Sequence, residues 1–132
     1  MSTDRELLKG NTPTLVLAVL RDGPLHGYAI AREIERRSGS SLRCKEGTLY
    51  PALHSLEHEG LISGEWSRQK SGRDRKVYSI TPAGDAGLRE RVQVWARFAD
   101  AVHKVLEGDE RHGREEQPPS IPVRGRLEPE AG

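Results

Sequence analysis

A histidine pair with an intervening glutamate is the first set of side chains that could support chemistry. His54, Glu57 and His58 follow the H-x-x-E-H order of one class of zinc peptidase. Histidines at this spacing lie on one face of a helix and can bind one metal ion. The pattern therefore allows a zinc hydrolase, and the nearby Cys44 allows a metal-sensing variant.

The rest of the chain favours a non-catalytic interpretation of these residues. A chain of 132 residues is short for a peptidase cleft, and no downstream helix offers an obvious set of acidic ligands. We find no nucleophile–base pair and no phosphate loop. We therefore predict a protein that is not an enzyme and has no cofactor or metal. His54 and His58 then lie on the outer face of a helix, and Cys44 is an ordinary thiol in a turn.

A run of basic residues is the second set. Between Arg68 and Lys76 five side chains are basic and one is acidic, and Gly72 supplies a turn in the middle. Such a loop can neutralise DNA phosphates and release counterions, or simply be a solvated loop. We favour phosphate binding and predict the following contact residues: Arg68, Lys70, Arg73, Arg75 and Lys76.

The helix predicted over residues 46–60 is the element that would present the third set. Pro51 places its start near Gly47, and Gly60 ends it. One stripe is apolar (Leu49, Ala52, Leu53 and Leu56), which leaves small hydrogen-bonding groups on the other faces. This arrangement suits a DNA major groove. The predicted contacts are Lys45, Thr48, Tyr50 and His54.

Two earlier helices would position this one. Thr12 and Pro13 resemble an N-cap and first helical residue, after an arm or short helix over residues 1–11. A second helix should run from Gly27 to Arg37, with Tyr28, Ile30 or Ala31, and Ile34 facing inward. A turn of small residues at 38–41 completes a helix-turn-helix. A β-hairpin follows it, with strands near 61–67 and 76–81 and with Trp66 packed at its base.

A long helix over residues 82–107 should follow the hairpin. Its apolar residues alternate at spacings of four and three, which is a heptad seam suited to pairing with the same helix of a second chain. The predicted dimer interface is Leu88, Val92, Trp95, Ala99, Val102 and Leu106. Trp95, with Phe98 and Val102, could instead line a cavity for a small aromatic effector, although a core aromatic is the simpler interpretation.

Composition limits the remaining possibilities. The apolar fraction is 34%, and no stretch of eighteen apolar residues predicts a membrane span. A single cysteine fits a reducing cytoplasm. Four arginines and seven acidic residues give residues 107–132 a charge of −3. Because the whole chain has a net charge of +1, residues 1–106 carry +4. We predict a basic winged helix-turn-helix over residues 12–81 and a disordered acidic, Pro-rich tail over 108–132.

Several segments of the chain resemble the PadR-like family of bacterial transcriptional regulators. Gly-Pro-Leu-His-Gly-Tyr at 23–28 and Gly-Thr-Leu-Tyr-Pro-Ala-Leu at 47–53 are the most specific. Residues 15–20, 56–62 and 72–84 also match, so the resemblance spans about residues 7–106. A single long C-terminal helix, in place of a larger C-terminal domain, resembles the short subclass of this family. The proline at residue 13 and the tail depart from the family pattern.

The resemblance implies a mainly α fold with a small β-hairpin, and a homodimeric repressor. The third helix would enter the major groove of double-stranded DNA, and the hairpin wing would touch the flanking backbone or minor groove. Some members of the family bind flat aromatic compounds between paired tryptophans, which supports the effector hypothesis at Trp95. The alternative function is a winged-helix module that uses the same surface to bind a protein.

Overall fold

The computed structural model describes residues 5–108, and its element order is that of a winged helix-turn-helix followed by a long helix, which confirms the predicted fold class. The chain divides into two compact units, Met1–Arg89 and Glu90–Gly132, which we describe separately. The elements are α1 (Arg5–Leu20), β1 (Leu25–His26), α2 (Gly27–Arg37), α3 (Glu46–His58), β2 (Ile62–Arg68), β3 (Asp74–Ile80) and α4 (Pro82–Leu106). The predicted tail beyond residue 108 lies outside the described residues.

The core of the first unit is formed mainly by the helices, with Ile62 of β2 and Tyr78 of β3. Each helix contributes aliphatic side chains that are almost completely removed from water, and burying each one favours folding by roughly 1.5–3 kcal/mol. The predicted apolar stripe of α3 is confirmed, because all four of its residues are buried. The largest fully buried side chains are Leu17, Leu20, Ile30, Leu49, Leu53, Leu56, Ile62 and Leu88.

Helix α1 begins earlier than the sequence predicts. The predicted start at Thr12 and Pro13 is wrong, because α1 already begins at Arg5 and contains Pro13. Thr12 is buried, and its hydroxyl donates to the Leu8 carbonyl at 2.7 Å instead of capping a helix. The Asn11 amide donates to the Leu7 carbonyl at 2.8 Å in the same way. Side chains therefore bind carbonyls of the turn before a proline that has no N–H to donate.

Helix α2 has the predicted bounds, but one of its predicted inward residues is misplaced. Ile30 and Ile34 are buried, whereas Tyr28 is 64% exposed. The buried stripe of α2 is Gly27, Ile30 and Ile34, and Tyr28 lies about 100° around the helix from Gly27, so its ring falls on another face.

Helix α3 runs from Glu46 to His58, close to the predicted start near Gly47. Its end is a left-handed glycine, because Gly60 has a φ of 78°. The Gly60 N–H bonds the Glu57 carbonyl at 3.0 Å, and the Leu61 N–H bonds the Leu56 carbonyl at 2.9 Å. These two bonds define a Schellman ending and confirm the predicted role of Gly60. Pro51 lies inside α3, not in its first turn as the prediction assumed.

The hairpin is confirmed and belongs to a sheet of three antiparallel strands in the order β1-β3-β2. Ile62 pairs with Ile80 at one end of the hairpin, and Arg68 pairs with Asp74 at the other. Strand β1 was not predicted, because two residues are too few to show an alternating pattern. It pairs His26 with Val77, which brings the start of α2 against the wing.

Helix α4 starts as predicted. The Thr81 hydroxyl accepts a hydrogen bond from the Gly84 N–H at 3.0 Å and donates to the Gly60 carbonyl at 2.8 Å. A Cβ on Gly84 would collide with the Leu61 carbonyl oxygen, so the helix start packs closely on the end of α3. None of the helices between residues 5 and 108 combines the length and apolar content of a membrane span.

Candidate nucleic-acid interface

The outer face of α3 presents hydrogen-bonding side chains as predicted. Lys45, Tyr50 and His54 are exposed and Thr48 is partly exposed, while the leucines of the same helix face the core. Ser55 and His58 extend the exposed face towards the end of the helix. This face offers hydrogen-bond donors suited to phosphates and base edges, and Glu46 in the first turn is the exposed acidic residue of α3.

Tyr50 also contacts α2. A Cβ built on Gly27 would lie 2.5 Å from the Tyr50 hydroxyl oxygen, so the ring end rests directly on the first residue of α2. Gly27 is buried, and any larger residue there would have to push the ring aside. Tyr50 is still 41% exposed. Its contact with Gly27 sets the distance between the start of α2 and the outer face of α3.

The wing carries the predicted basic residues on an exposed turn. The Gln69 N–H bonds the Arg73 carbonyl at 3.0 Å, and Gly72 adopts a φ of 91°. Arg68 forms an exposed ion pair with Asp74 at 3.3 Å. Lys70, Arg73 and Arg75 are exposed and lie within ion-pair distance of no carboxylate in residues 5–108. These three cations are free to neutralise phosphates.

Lys76 differs from the other basic residues of the wing. Its ammonium group donates to Glu57 of α3 at 3.1 Å, and this bond raises the pKa of Lys76. The same nitrogen lies 5.9 Å from the ring centre of Trp66 and 5.6 Å from that of Tyr78. Lys76 thus links the wing to the end of α3 and is less available to DNA than predicted.

Trp66 is not packed at the base of the wing as predicted. It is 69% exposed, and Lys76 lies near one face of its ring. Burial lies instead on β3, where Tyr78 is 6% exposed and its pKa is raised by that burial.

Two further residues of the surface were missed by sequence reasoning. Tyr28 stacks on His26 with ring centres 6.5 Å apart, and the Arg32 guanidinium lies 5.6 Å from the centre of the Tyr28 ring. Burial lowers the pKa of His26, and the positive charge of Arg75 on the wing lowers it further. An aromatic residue at the start of the second helix could have indicated this surface, but the sequence-based prediction puts Tyr28 in the core.

Metal binding finds no support in this arrangement. No group of three histidine, cysteine or acidic side chains in the described part of the chain could hold an ion. Glu57 of the H-x-x-E-H pattern is bound to Lys76. Cys44 is buried, and burial raises the pKa of its thiol, with a smaller opposing effect from the Thr12 hydroxyl.

The second unit, described by itself, exposes large apolar side chains along α4. Of the predicted interface residues, Trp95 is 45% exposed, Val102 36% and Leu106 73%, and the neighbouring Phe98 is 64% exposed. Leu88 is an exception, because it belongs to the first unit and is 1% exposed in the single chain. It is therefore a core residue, and we remove it from the predicted interface.

Comparison with known proteins identifies relatives of this chain. The model of the Transcriptional regulator PadR-like family matches residues 16–90. Transcriptional regulator Rv3488 of Mycobacterium tuberculosis is 40% identical over 65% of this chain and 77% of that protein. A PadR family regulator of Eggerthella lenta has a TM-score of 0.69 at 36% identity, covering 77% of this chain and 87% of that one.

A third relative was solved with DNA. The negative transcriptional regulator PadR of Bacillus subtilis is 31% identical over 57% of this chain and 41% of its own length. Its complex with operator DNA has a TM-score of 0.56 at 29% identity, covering 61% of this chain and 45% of that one. This chain therefore spans less than half of that relative.

Proposed function

Since the chain belongs to the PadR-like family of transcriptional regulators, we propose that it is a homodimeric repressor that binds operator DNA. Because the family consists of transcriptional regulators, the prediction that the chain is not an enzyme is confirmed. A regulator of this kind would act on DNA in the cytoplasm.

The observation that carries the proposal is the shared surface of α3 and the wing. The exposed hydrogen-bonding side chains of α3 and three wing cations without a carboxylate partner in residues 5–108 lie in one unit, and Lys76 ties the wing to α3 through Glu57. The Bacillus subtilis relative, which was solved in complex with operator DNA, supports DNA as the ligand.

The side chains would divide the work of recognition. Thr48, Tyr50 and His54 would read base edges in the major groove, with Lys45 on a phosphate at the helix start. Arg68, Lys70, Arg73 and Arg75 would neutralise backbone phosphates and give affinity that is independent of sequence. Lys76 would hold the wing in place.

A second copy of the chain would cover the exposed apolar face of α4. A soluble protein rarely leaves so many large apolar side chains of one helix in water, and their heptad spacing suits a paired helix. The proposed interface is Val92, Trp95, Ala99, Val102 and Leu106. Two-fold symmetry then implies a pseudo-palindromic operator with half-sites about one helical turn apart.

The bound protein would repress transcription, and a small-molecule effector would relieve this repression. The Bacillus subtilis relative is named a negative transcriptional regulator, which supports repression. An aromatic effector that bound at Trp95, Phe98 and Val102 would contact side chains at the interface itself. Such a ligand would relieve repression by changing the spacing of the two DNA-binding units.

The salt dependence of binding to duplex DNA tests the proposal. Fluorescence anisotropy should show that DNA binding weakens steeply as salt increases. The double variant Arg73→Ala/Arg75→Ala should reduce the magnitude of the slope of log affinity against log salt by about two. Arg97→Ala, which removes an exposed arginine of α4, is the matched control and should leave the slope unchanged. Salt-independent binding, or equal effects of all three substitutions, would contradict the proposal and favour a protein partner.

A further inference from the structure

A groove with an excess of positive charge lies beside the proposed interface. Its volume is about 760 Å³, and its walls come from the end of α1, the α1–β1 turn, β1, one side of α2 along its whole length and Arg75 of the wing. Four arginines and two acidic residues line it. All of these residues belong to the first unit.

The two acidic residues are already neutralised by two of the arginines. Arg36 and Arg37 bind Glu33 at 2.6 Å and 2.8 Å, and Arg37 also binds Asp22 at 2.7 Å. Hydrogen bonds from the two guanidinium groups lower the pKa of Glu33 to about 2. Arg32 and Arg75 have no ion-pair partner among residues 5–108, so they carry the excess charge of the groove.

The aromatic residues of the groove hold one of these arginines in place. Tyr28 is 64% exposed, and its ring contacts both the His26 ring and the Arg32 guanidinium. This contact limits the rotamers of Arg32. Arginine guanidinium groups and tyrosine hydroxyls are both common donors to DNA phosphates.

The groove continues the surface that we assign to DNA. Gly27, between His26 and Tyr28, lies under the Tyr50 hydroxyl of α3. Arg75 pairs with Ser67 on the wing, and His26 pairs with Val77 two residues further along the same strand. The groove therefore lies where α2 meets the wing, next to the start of α3. Because it is open rather than enclosed, it suits an extended polyanion.

We propose that Arg32, Arg75 and Tyr28 bind backbone phosphates of the operator in this groove. The inference rests on the proposed function and adds Arg32 and Tyr28 to the contact surface. Arg32 and Arg75 neutralise phosphate charge, and the Tyr28 hydroxyl donates a hydrogen bond to a phosphate oxygen.

Matched substitutions in α2 test this inference. Arg32→Ala should weaken binding to specific and scrambled duplexes alike, by about tenfold, and lower the salt slope by about one. Arg36→Ala is the control, because it removes the same charge from the same helix, but from a guanidinium bound to Glu33. It should leave the slope unchanged. Tyr28→Phe should weaken binding a few-fold with no change in slope, and Arg32→Lys should restore the slope.

Equal changes of slope in Arg32→Ala and Arg36→Ala would overturn the inference, since only net charge would then matter. No change in either would overturn it too. In both cases wild-type binding to the operator would remain, so the proposed function would stand. Saturable binding of inorganic phosphate that depends on Arg32, without an effect of Arg32→Ala on DNA binding, would assign the groove to a free anion instead.

Discussion

Lys76 shows how a basic residue of the wing can be structural. Its ion pair with Glu57 is about one-third exposed, and its ammonium group also lies between two aromatic rings. The sequence shows five similar cations, and nothing in their order distinguishes this one. Glu57 reaches Lys76 only because the folded chain brings β3 close to the end of α3.

We therefore predict that Lys76→Gln leaves the salt slope of DNA binding nearly unchanged, whereas Arg73→Ala lowers it by about one. Lys76→Gln and Glu57→Gln should each lower thermal stability, and the double variant should lose less than the sum of the two, because each single change leaves one partner unpaired. Additive losses in a thermal unfolding experiment, or a slope change equal to that of Arg73→Ala, would show that Lys76 contacts phosphate.

The ionisation of Glu33 should make the stability of the protein depend on pH. Its pKa in the folded protein is about 2, below the ordinary value of 4.5, because Arg36 and Arg37 bind its carboxylate. A lowered pKa means that the stabilisation is complete above pH 4.5 and is lost as pH falls towards 2. We predict that Glu33→Gln is less stable than wild type in urea unfolding at pH 6, and that the difference shrinks below pH 4. A difference that stays constant with pH would contradict this assignment.

Prediction from sequence worked best for residues whose role depends on helical spacing. Thr48 and His54 face outward because the leucines of the same helix face inward, and spacing alone shows this. Arg32 and Arg75 are distant in the chain, and their common groove depends on how β1 pairs with β3. No local pattern could reveal it.

At the scale of elements, α1 was the main error, and its proline is the reason. Proline is favoured at a helix start, so Thr12-Pro13 was interpreted as one. In the structure Pro13 lies inside α1 and provides no N–H for the Lys9 carbonyl. Local preference was overridden because Thr12 is buried in the core and Leu8, one turn earlier, continues the helix.

Replacing this proline should therefore stabilise the protein. We predict that Pro13→Ala raises the free energy of unfolding by about 1–2 kcal/mol, because the restored hydrogen bond outweighs the added freedom of the unfolded chain. Urea unfolding at neutral pH would measure it, with Gly10→Ala in the same helix giving about 1 kcal/mol for comparison. A loss of stability in Pro13→Ala would show that the helix needs the proline in its packing.

At the scale of the whole molecule, the proposed dimer depends on the apolar seam of α4. The helix itself was predicted from its cap and its heptads, and both ends agree within a residue. Which seam residues are free for a partner could not be read from spacing, because Leu88 fits the heptad but is buried in its own chain.

We predict a dimer in sedimentation experiments that Val102→Glu converts to a monomer. Gln93→Glu is the matched control, since Gln93 is exposed and its spacing from Val102 places it about 180° around the same helix. Loss of the dimer should also weaken operator binding, because one chain can then engage only one half-site. A monomeric wild type, or equal effects of the two glutamates, would contradict the proposed interface.

The central claim is that this chain recognises a specific duplex as a dimer. The most direct measurement is fluorescence anisotropy with the duplex upstream of the chain's own coding region, against a scrambled duplex, at low and moderate salt. We predict tighter binding to the native duplex at both salt concentrations, with two chains bound per site. Equal binding to both duplexes would leave only electrostatic attraction, and absence of binding at low salt would contradict the claim altogether.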